Sequence, residues 1–214
     1  MRFPAREILK GFIVLEGVDG SGTTTQLHRI ESRLSRLAIP HWTSFEPSDL
    51  PTGRFVRRVL SGEVAAEPGT LARLFAADRN EHVFGKEGVL ERLGRGELVF
   101  FDRYLFSSLA YQGMACGREL PDLLNAAFPL PELLLYFDVD VKISMSRVAQ
   151  RPGRDIFEVE AFQERVRGAY EDILADFEGS GMRTLRIDAA APLEEVSRRV
   201  DEAVDGVLGA AHGR

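Results

Sequence analysis

Short apolar runs alternate along the chain with longer segments in which apolar residues recur at helical spacing. The runs are bounded by glycine, proline or polar residues, which is typical of buried strands in a parallel sheet. The predicted strands are residues 11–16, 41–46, 98–101, 133–138 and 183–187.

Helices are predicted between these strands. In the first of them, Leu27, Ile30, Leu34 and Leu37 lie on one face because they are spaced three or four residues apart. The predicted helices are residues 24–37, 52–60, 68–94, 104–116, 141–149, 157–177 and 192–208. Such alternation predicts an α/β fold with a parallel sheet covered by helices on both faces.

Composition narrows the class of protein. With 214 residues, 44% of them hydrophobic and 28% charged, the chain suits a single globular domain over residues 1–214. The one cysteine, Cys116, cannot form an internal disulfide, and the apolar runs are too short to span a bilayer. We therefore expect a cytoplasmic protein with no membrane contact. The net charge of −6 argues against a nucleic-acid partner, because backbone binding needs clustered positive charge.

A glycine-rich loop joins the first strand to the first helix. Residues 17–24 match the phosphate-binding pattern G-x-x-x-x-G-K-[ST] except that Thr23 replaces the lysine. Backbone N–H groups and the following helix N-terminus can still hold a polyphosphate, and the Thr24 hydroxyl is placed to ligate Mg²⁺. Without its context the loop could be a plain strand-to-helix turn. The predicted phosphate-binding residues are Gly17, Val18, Asp19, Gly20, Ser21, Gly22, Thr23, Thr24 and Thr25.

Charged residues follow two other predicted strands. Asp102 and Arg103 end the third strand, where a carboxylate can hold a metal-bound water and an arginine can grip phosphate bidentately. Glu46 and Pro47 end the second strand. Ligands of parallel sheets bind at the carboxyl ends of strands, so we expect these residues to lie near Asp19 of the loop. A surface ion pair and turn caps are the alternative interpretations.

Two predicted helices carry a possible base pocket. Phe75 and Arg79 are four residues apart and share a helix face, so they offer a ring for stacking and a forked donor. Core packing and solvated surface remain the alternatives. A similar polar set follows Arg103, namely Ser107, Ser108, Tyr111 and Gln112.

A short polar break at residues 150–155 is suited to a flap. Arg147, Arg151 and Arg154 surround its Pro-Gly pair, which disfavours a continuous helix there. Arginines on a flap can act as arginine fingers on a transferring phosphate, where one contributes roughly 10³–10⁵ in rate. A solvated charge cluster is the alternative.

These ordered motifs resemble the thymidylate kinase family over nearly the whole chain. The resemblance rests on the loop with its preceding strand, Glu46-Pro47, the motif at residues 74–79, Asp102-Arg103 with residues 104–113, residues 135–138 and the arginine-bearing segment. It implies a P-loop NTPase fold, a three-layer α/β/α sandwich with a five-stranded parallel sheet and a lid at about residues 150–157. It also implies a homodimer that transfers the γ-phosphoryl of ATP to dTMP with Mg²⁺, giving dTDP for dTTP synthesis.

The resemblance also implies roles for individual residues. Phe75 would stack on thymine, and Arg79 and Gln112 would hydrogen-bond its edge. Arg103 would bind the monophosphate, with Asp19 near the sugar and the acceptor phosphate. The remaining implied positions are Asp102 near the metal and Tyr170 near the deoxyribose.

Two departures from the family pattern remove positive charge. Thr23 replaces the loop lysine, and Phe45 replaces an arginine that usually precedes Glu-Pro. Phosphoryl transfer depends on charge stabilisation, so these losses should lower the rate unless other groups compensate. The candidates are Arg151, Arg154, Arg147 and Arg54. Three readings stay open: an active dTMP kinase, a nucleotide-binding relative with weak or no kinase activity, and a kinase for another monophosphate.

Overall fold

A five-stranded parallel sheet forms the centre of the molecule, as expected. The computed structural model describes residues 6–150 and 156–212. The strands follow the order β2-β3-β1-β4-β5 across the sheet. They are β1 (Ile8–Gly17), β2 (His41–Phe45), β3 (Leu98–Asp102), β4 (Leu130–Asp138) and β5 (Arg183–Asp188).

Helices flank this sheet and complete the predicted α/β/α architecture. They are α1 (Thr23–Arg36), α2 (Pro51–Leu60), α3 (Pro68–Phe84), α4 (Val89–Gly94), α5 (Leu105–Ser107), α6 (Gly113–Cys116), α7 (Glu119–Asn125), α8 (Val141–Val148), α9 (Glu160–Asp176) and α10 (Leu193–His212). A π-helical turn, Ser108–Gln112, joins α5 to α6. Within the ranges that the structure describes, no helix is both long and apolar enough to cross a membrane.

The core lies around β1, β3 and β4. These strands read as nearly continuous apolar runs because both of their faces are covered. The rings of Phe12, Phe101 and Tyr104 pack edge to face, with 5.1 Å and 5.2 Å between the centroid of Phe12 and those of its two neighbours. In the sheet register Asp102 pairs with both Leu15 and Phe45, so the carboxyl ends of three strands meet at one edge.

The prediction of one helix over residues 68–94 is wrong. Helix α3 ends at Phe84 and α4 begins at Val89. At Gly85 the backbone leaves the helix with ψ near 172°, and a Cβ there would lie 2.3 Å from the carbonyl oxygen of Glu81. A Cβ at Gly88 would approach the carbonyl oxygen of Gly85 to 2.8 Å. The two glycines therefore allow a tight break that apolar spacing alone conceals.

Three smaller differences concern the helices near the strand ends. The helix predicted at residues 104–116 begins at Leu105 and is interrupted by the π-helical turn, and the one predicted at 157–177 begins only at Glu160. Helix α7 was not predicted. It tolerates Pro121 because that residue lies in the first turn, where the N–H has no partner within the helix.

Candidate active site

The glycine-rich loop lies between β1 and α1, as predicted. Gly20 has φ +80°, and a Cβ there would lie 2.3 Å from the carbonyl oxygen of Ser144 in α8. Gly22 has φ +101° and precedes the first turn of α1. Both positions need glycine because L side chains rarely adopt these conformations. Thr23, in place of the lysine, is buried. The loop thus keeps the backbone of a phosphate site and lacks its usual ammonium group.

Thr24 and Asp102 come together where α1 begins and β3 ends. The Thr24 hydroxyl donates to Asp102 Oδ2 at 2.5 Å. Asp102 Oδ1 is buried and has no hydrogen-bond partner among the described residues. One hydroxyl and one carboxylate suit Mg²⁺, which usually keeps several waters and binds substrate phosphates as well. Over residues 6–150 and 156–212, no group of three or more His, Cys, Asp or Glu side chains could hold a metal without such help.

A cavity of about 110 Å³, here called the Arg103 cavity, opens beside the loop. It is lined by Asp19 and by every predicted substrate-binding residue except Arg54 and Tyr170. The lining is Asp19, Glu46, Pro47, Leu60, Phe75, Arg79, Arg103, Tyr104, Ser107, Ser108, Tyr111, Gln112 and Phe157.

Arg103 is held between the loop and the cavity. Its guanidinium donates to Asp19 Oδ1 at 2.6 Å, to the Gly17 carbonyl at 3.1 Å and to Ser107 Oγ at 3.1 Å. It also lies over the ring of Tyr111, 5.1 Å from the centroid. Burial works to lower the pKa of Arg103, but Tyr111 and Asp19 outweigh it and raise the pKa above its usual value. The cavity therefore contains a fixed, charged donor suited to phosphate.

A buried ion pair forms another part of the wall. Arg79 binds Glu46 and also donates to Asn125 Oδ1 at 2.5 Å and to Ser108 Oγ at 3.1 Å. Arg79 Nε and Glu46 Oε1 are buried and have no hydrogen-bond partner among the described residues. His82 Nδ1 lies 3.6 Å from Glu46 Oε1. Asn125 was not predicted, because the short helix that carries it gives no signal in the sequence.

The segment after β2 is attached to α3 by a buried carboxylate. Asp78 accepts hydrogen bonds from the Ser48 N–H at 2.7 Å, the Ser48 hydroxyl at 2.6 Å and the Thr52 hydroxyl at 2.7 Å. Since Phe75 and Arg79 lie on the same helix, these bonds set the position of Pro47 relative to both cavity residues. Sequence analysis did not predict a role for Asp78, although this carboxylate lies between Phe75 and Arg79 in the sequence.

Arg54, predicted near the acceptor, does not line the Arg103 cavity. It lies on the exposed side of α2 and donates to the Asp49 carbonyl at 2.8 Å. Arg57 lies one turn further along and places its guanidinium 5.1 Å from the centroid of the Phe45 ring. It also donates to the Pro47 carbonyl at 2.8 Å. Arg57, not Arg54, is thus the arginine that neighbours Phe45.

Tyr170 lies behind the cavity rather than in its lining. Its side chain is fully buried, and its hydroxyl donates to Glu16 Oε2 at 2.8 Å and lies 2.9 Å from Ser107 Oγ. Burial, and then the charge of Glu16, raises the pKa of Tyr170 well above its usual value. Tyr170 therefore stays protonated and lies in contact with Ser107, which does line the cavity.

Gln163 of α9 is a site residue that sequence analysis missed. Its amide nitrogen donates to Asp19 Oδ2 at 2.6 Å and to the Phe157 carbonyl at 2.9 Å. Its amide oxygen accepts from the Asp19 N–H and the Tyr111 hydroxyl, both at 3.2 Å. It therefore connects the loop to the chain that follows residues 151–155. A glutamine on a long helix carries no local signal of this contact.

A second cavity, here called the Arg147 cavity, lies on the other side of the loop. The guanidinium of Arg147 donates to the Gly20 carbonyl at 3.4 Å and to the Ala189 carbonyl at 3.0 Å. Arg151 and Arg154 lie outside the described residues. The lining is Gly20, Ser21, Gly22, Thr25, Gln26, Arg147, Ala189, Ala191, Leu193 and Val196.

One phosphate loop thus serves two cavities, which is the arrangement of a kinase that phosphorylates nucleoside monophosphates. The comparison with known proteins agrees. The family model described as Thymidylate kinase matches residues 15–200. The chain belongs to the thymidylate kinase family, which confirms the resemblance drawn from its motifs.

Individual relatives cover nearly the whole chain. A Treponema pallidum protein, named provisionally as a thymidylate kinase, is 38% identical over 90% of this chain and 94% of its own length. An Aeropyrum pernix protein with the same provisional name is 35% identical over 93% of this chain and 98% of its own. The thymidylate kinase of Leptospira interrogans is 36% identical over 83% of this chain and 85% of its own length.

Proposed function

We propose that this chain transfers the γ-phosphoryl of ATP to dTMP, giving dTDP and ADP for dTTP synthesis. The single observation that carries the proposal is the placement of Arg103. It joins the phosphate loop, through Gly17 and Asp19, to a cavity that is also lined by Phe75, Arg79 and Gln112. A monophosphate bound to Arg103 would have its base in that cavity and its phosphate at the loop.

On the donor side, the loop residues 17–25 bind the phosphates of ATP and Arg147 lies beside the nucleotide. Thr24 and Asp102 hold Mg²⁺, because the free oxygen of Asp102 and the adjacent hydroxyl suit that ion. When bound, the metal neutralises charge on the phosphates. The protein's own part is to keep these donors fixed, since reorganising them during the reaction would cost free energy.

On the acceptor side, Phe75 stacks on thymine while Arg79 and Gln112 bind its polar edge. The buried ion pair of Arg79 with Glu46 supports this role, because it holds the guanidinium in one orientation. Asp19, Ser107 and the remaining lining residues contact the sugar and phosphate, and Tyr170 acts from behind Ser107.

The missing lysine and the missing arginine need replacement charges. We assign them to Arg151 and Arg154 on a lid at about residues 150–157 of a single domain, with Arg147 at its base. Gln163 supports the lid assignment, because it bonds both Asp19 and the carbonyl of Phe157, the last residue of the lid. Arg57 replaces Arg54 in this scheme, since it lies over the Phe45 ring.

Two further properties complete the proposal. The protein acts as a homodimer, and the partly exposed apolar side chains of Phe55 and Phe84 offer area for such contact. It works in the cytoplasm, where its free Cys116 stays reduced. Sedimentation equilibrium tests the dimer, and a monomer at all concentrations would contradict it.

One observation favours a different function. Thr23 is buried where a lysine would present its charge, which suits a nucleotide-binding protein with little or no turnover. The buried, mutually bonded charges of the Arg103 cavity argue against it, because a site released from selection would not retain them.

The deciding experiment is a coupled assay of ADP release with ATP·Mg²⁺ and a panel of monophosphates that includes dTMP and dUMP. It compares the wild-type chain with Thr23→Lys. Turnover selective for dTMP in the wild type supports the proposal, and the lysine should then change the rate by less than about tenfold. Binding of dTMP without turnover, with activity restored by the lysine, would establish the alternative.

A further inference from the structure

We propose that Glu16 is a positioning residue of the acceptor site, which holds Arg103 and Ser107 in place by binding the backbone that follows Arg103. The proposal rests on the proposed function, in which Arg103 binds the acceptor phosphate. Glu16 lies at the end of β1, fully buried, and does not line the Arg103 cavity.

Glu16 accepts four hydrogen bonds, three from residues that line the cavity and one from Tyr170 behind it. Oε1 accepts from the Tyr104 N–H at 2.8 Å and from the Ser107 N–H at 3.1 Å. Oε2 accepts from the Ser107 hydroxyl at 2.6 Å and from the Tyr170 hydroxyl at 2.8 Å. One carboxylate thus satisfies two buried backbone donors and two hydroxyls. It joins β1, the turn after β3 and α9.

These bonds hold a turn that would otherwise be unfavourable. Arg103 has φ +72°, a conformation that residues other than glycine rarely adopt. The Arg103 N–H donates to the Leu15 carbonyl at 2.9 Å, and the next N–H donates to Glu16. The end of β1 therefore binds the chain on both sides of the strained residue. Such conformations persist only where the surroundings over-determine them, and they cluster at functional sites.

The same turn directs the Arg103 side chain into the site. From it the guanidinium reaches Gly17 and Asp19 in the loop, and it donates to Ser107 Oγ, which itself donates to Glu16. Loss of the Glu16 contacts would release both Arg103 and Ser107. Because a phosphate clamp depends on position within fractions of an ångström, such a release should weaken acceptor binding.

Geometry rather than charge is the property that Glu16 supplies. Burial raises the pKa of Glu16 to about 7, although the bond from Ser107 and the charge of Arg103 oppose that shift. The ionisable groups that act on it are Arg103 and Tyr170. A glutamine would keep one oxygen for the two backbone N–H groups, and both hydroxyls could turn to accept from its amide. An aspartate keeps the charge but is one methylene shorter.

The other end of β1 provides a matched control. Glu132 of β4 accepts from the Gly11 N–H at 2.7 Å and from Lys10 Nζ at 3.3 Å, and it lines neither cavity. It is a mostly buried carboxylate that binds the backbone of the same strand, far from the site. Its substitution tests the general effect of removing such a bond from β1.

The experiment compares Glu16→Asp, Glu16→Gln, Glu132→Asp and Glu132→Gln by calorimetric dTMP binding and by steady-state kinetics. We expect Glu16→Asp to raise the dTMP Kd and KM by roughly tenfold or more, with the ATP KM changed less than about threefold. Glu16→Gln should keep the dTMP Kd and KM within about threefold of the wild-type values, and the Glu132 variants should leave the dTMP Kd and KM unchanged.

Several outcomes would overturn this role. One is that Glu16→Asp binds dTMP as tightly as the wild type. Another is that the KM values for dTMP and ATP rise equally. A third is that Glu16→Gln weakens dTMP binding as much as Glu16→Asp does. A wild-type chain that binds no dTMP would instead overturn the proposed function itself. If Glu16→Asp does not fold, Tyr170→Phe removes one donor to Glu16 from behind the cavity. It should raise the dTMP KM about two- to fivefold, and no change would count against the role.

Discussion

The two cavities that share the phosphate loop are built differently. In the Arg103 cavity, charged side chains are bonded to one another: the pair of Arg79 with Glu46 is buried, and the pair of Arg103 with Asp19 is partly buried. The Arg147 cavity is lined by small and apolar residues, one glutamine and one arginine that is bonded to two carbonyls. Under the proposed function, the acceptor side would therefore be pre-organised by the fold, whereas the donor side would depend on groups brought to it.

The difference has an energetic reason. Burying a charge costs several kcal/mol unless a partner and further hydrogen bonds compensate, so a buried pair persists only with good geometry. The fold meets that condition around Arg79 and Arg103 before any ligand binds. In the proposed reaction Thr23 supplies no charge on the donor side, so stabilisation of the transferring phosphate would come from other groups.

The sharpest test of the comparison removes the two arginines assigned to the lid. Arg151→Ala with Arg154→Ala should lower kcat by roughly 10³-fold or more, because arginine fingers supply rate enhancements of that order. Binding of dTMP, measured by calorimetry, should stay near the wild-type value because the Arg103 cavity is unchanged. Turnover near wild type in the double variant would end the compensation hypothesis.

Arg103→Lys tests the pre-organised side. Lysine keeps the charge but cannot reproduce the planar donor pair, so kcat/KM for dTMP should fall by roughly 10²-fold while the ATP KM holds. Arg118→Lys is the control, since Arg118 forms surface ion pairs with Asp122 and Asp176. Equal effects from both variants would contradict a specific role for the Arg103 guanidinium.

The free energy of unfolding should depend on pH because the carboxyl group of Glu16 is buried. The folded protein holds its pKa at about 7 against an ordinary value of 4.5. Between those values the unfolded chain is ionised while the folded chain keeps its proton, so wild-type stability falls as pH rises through that window. Relative to Glu16→Gln the loss should reach about 3 kcal/mol, since one pKa unit is worth about 1.4 kcal/mol.

Urea unfolding at about pH 5 and about pH 8 measures this difference, because the two conditions lie near the lower end of the window and above it. The free energy of unfolding of Glu16→Gln, relative to that of the wild type, should be larger at the higher pH than at the lower pH. Stabilities that remain parallel between the two conditions would contradict a raised pKa.

Phe75→Ala gives the smallest expected effect. Stacking of a base on an aromatic ring is worth about 1–3 kcal/mol, so the dTMP KM should rise roughly tenfold. Phe84→Ala is the control on the same helix. Phe84 is the last residue of α3 and is exposed, and Phe128 is the one ring among the described residues that stacks on it. A dTMP KM unchanged in Phe75→Ala would remove Phe75 from the base pocket.

Sequence patterns predicted the parts of the fold that local chemistry controls. The five strands and the glycine loop follow from apolar runs and from glycine positions, and Asp102 and Arg103 follow from their place at a strand end. Residues 68–94 were misread because helical spacing continues past Gly85, where close approach to Glu81 decides the break. Helix α7 was missed because seven residues containing a proline give too weak a pattern.

By itself the sequence determined the class of fold, the phosphate loop and the family, because all three are written in local periodicity and ordered motifs. Only the tertiary structure decided how Glu16, Gln163 and Asn125 support the site. Their partners lie far away along the chain, so no local pattern records the contacts. The tertiary structure also placed Arg57 rather than Arg54 beside Phe45. The packing of the whole molecule decides which face of α2 turns toward β2.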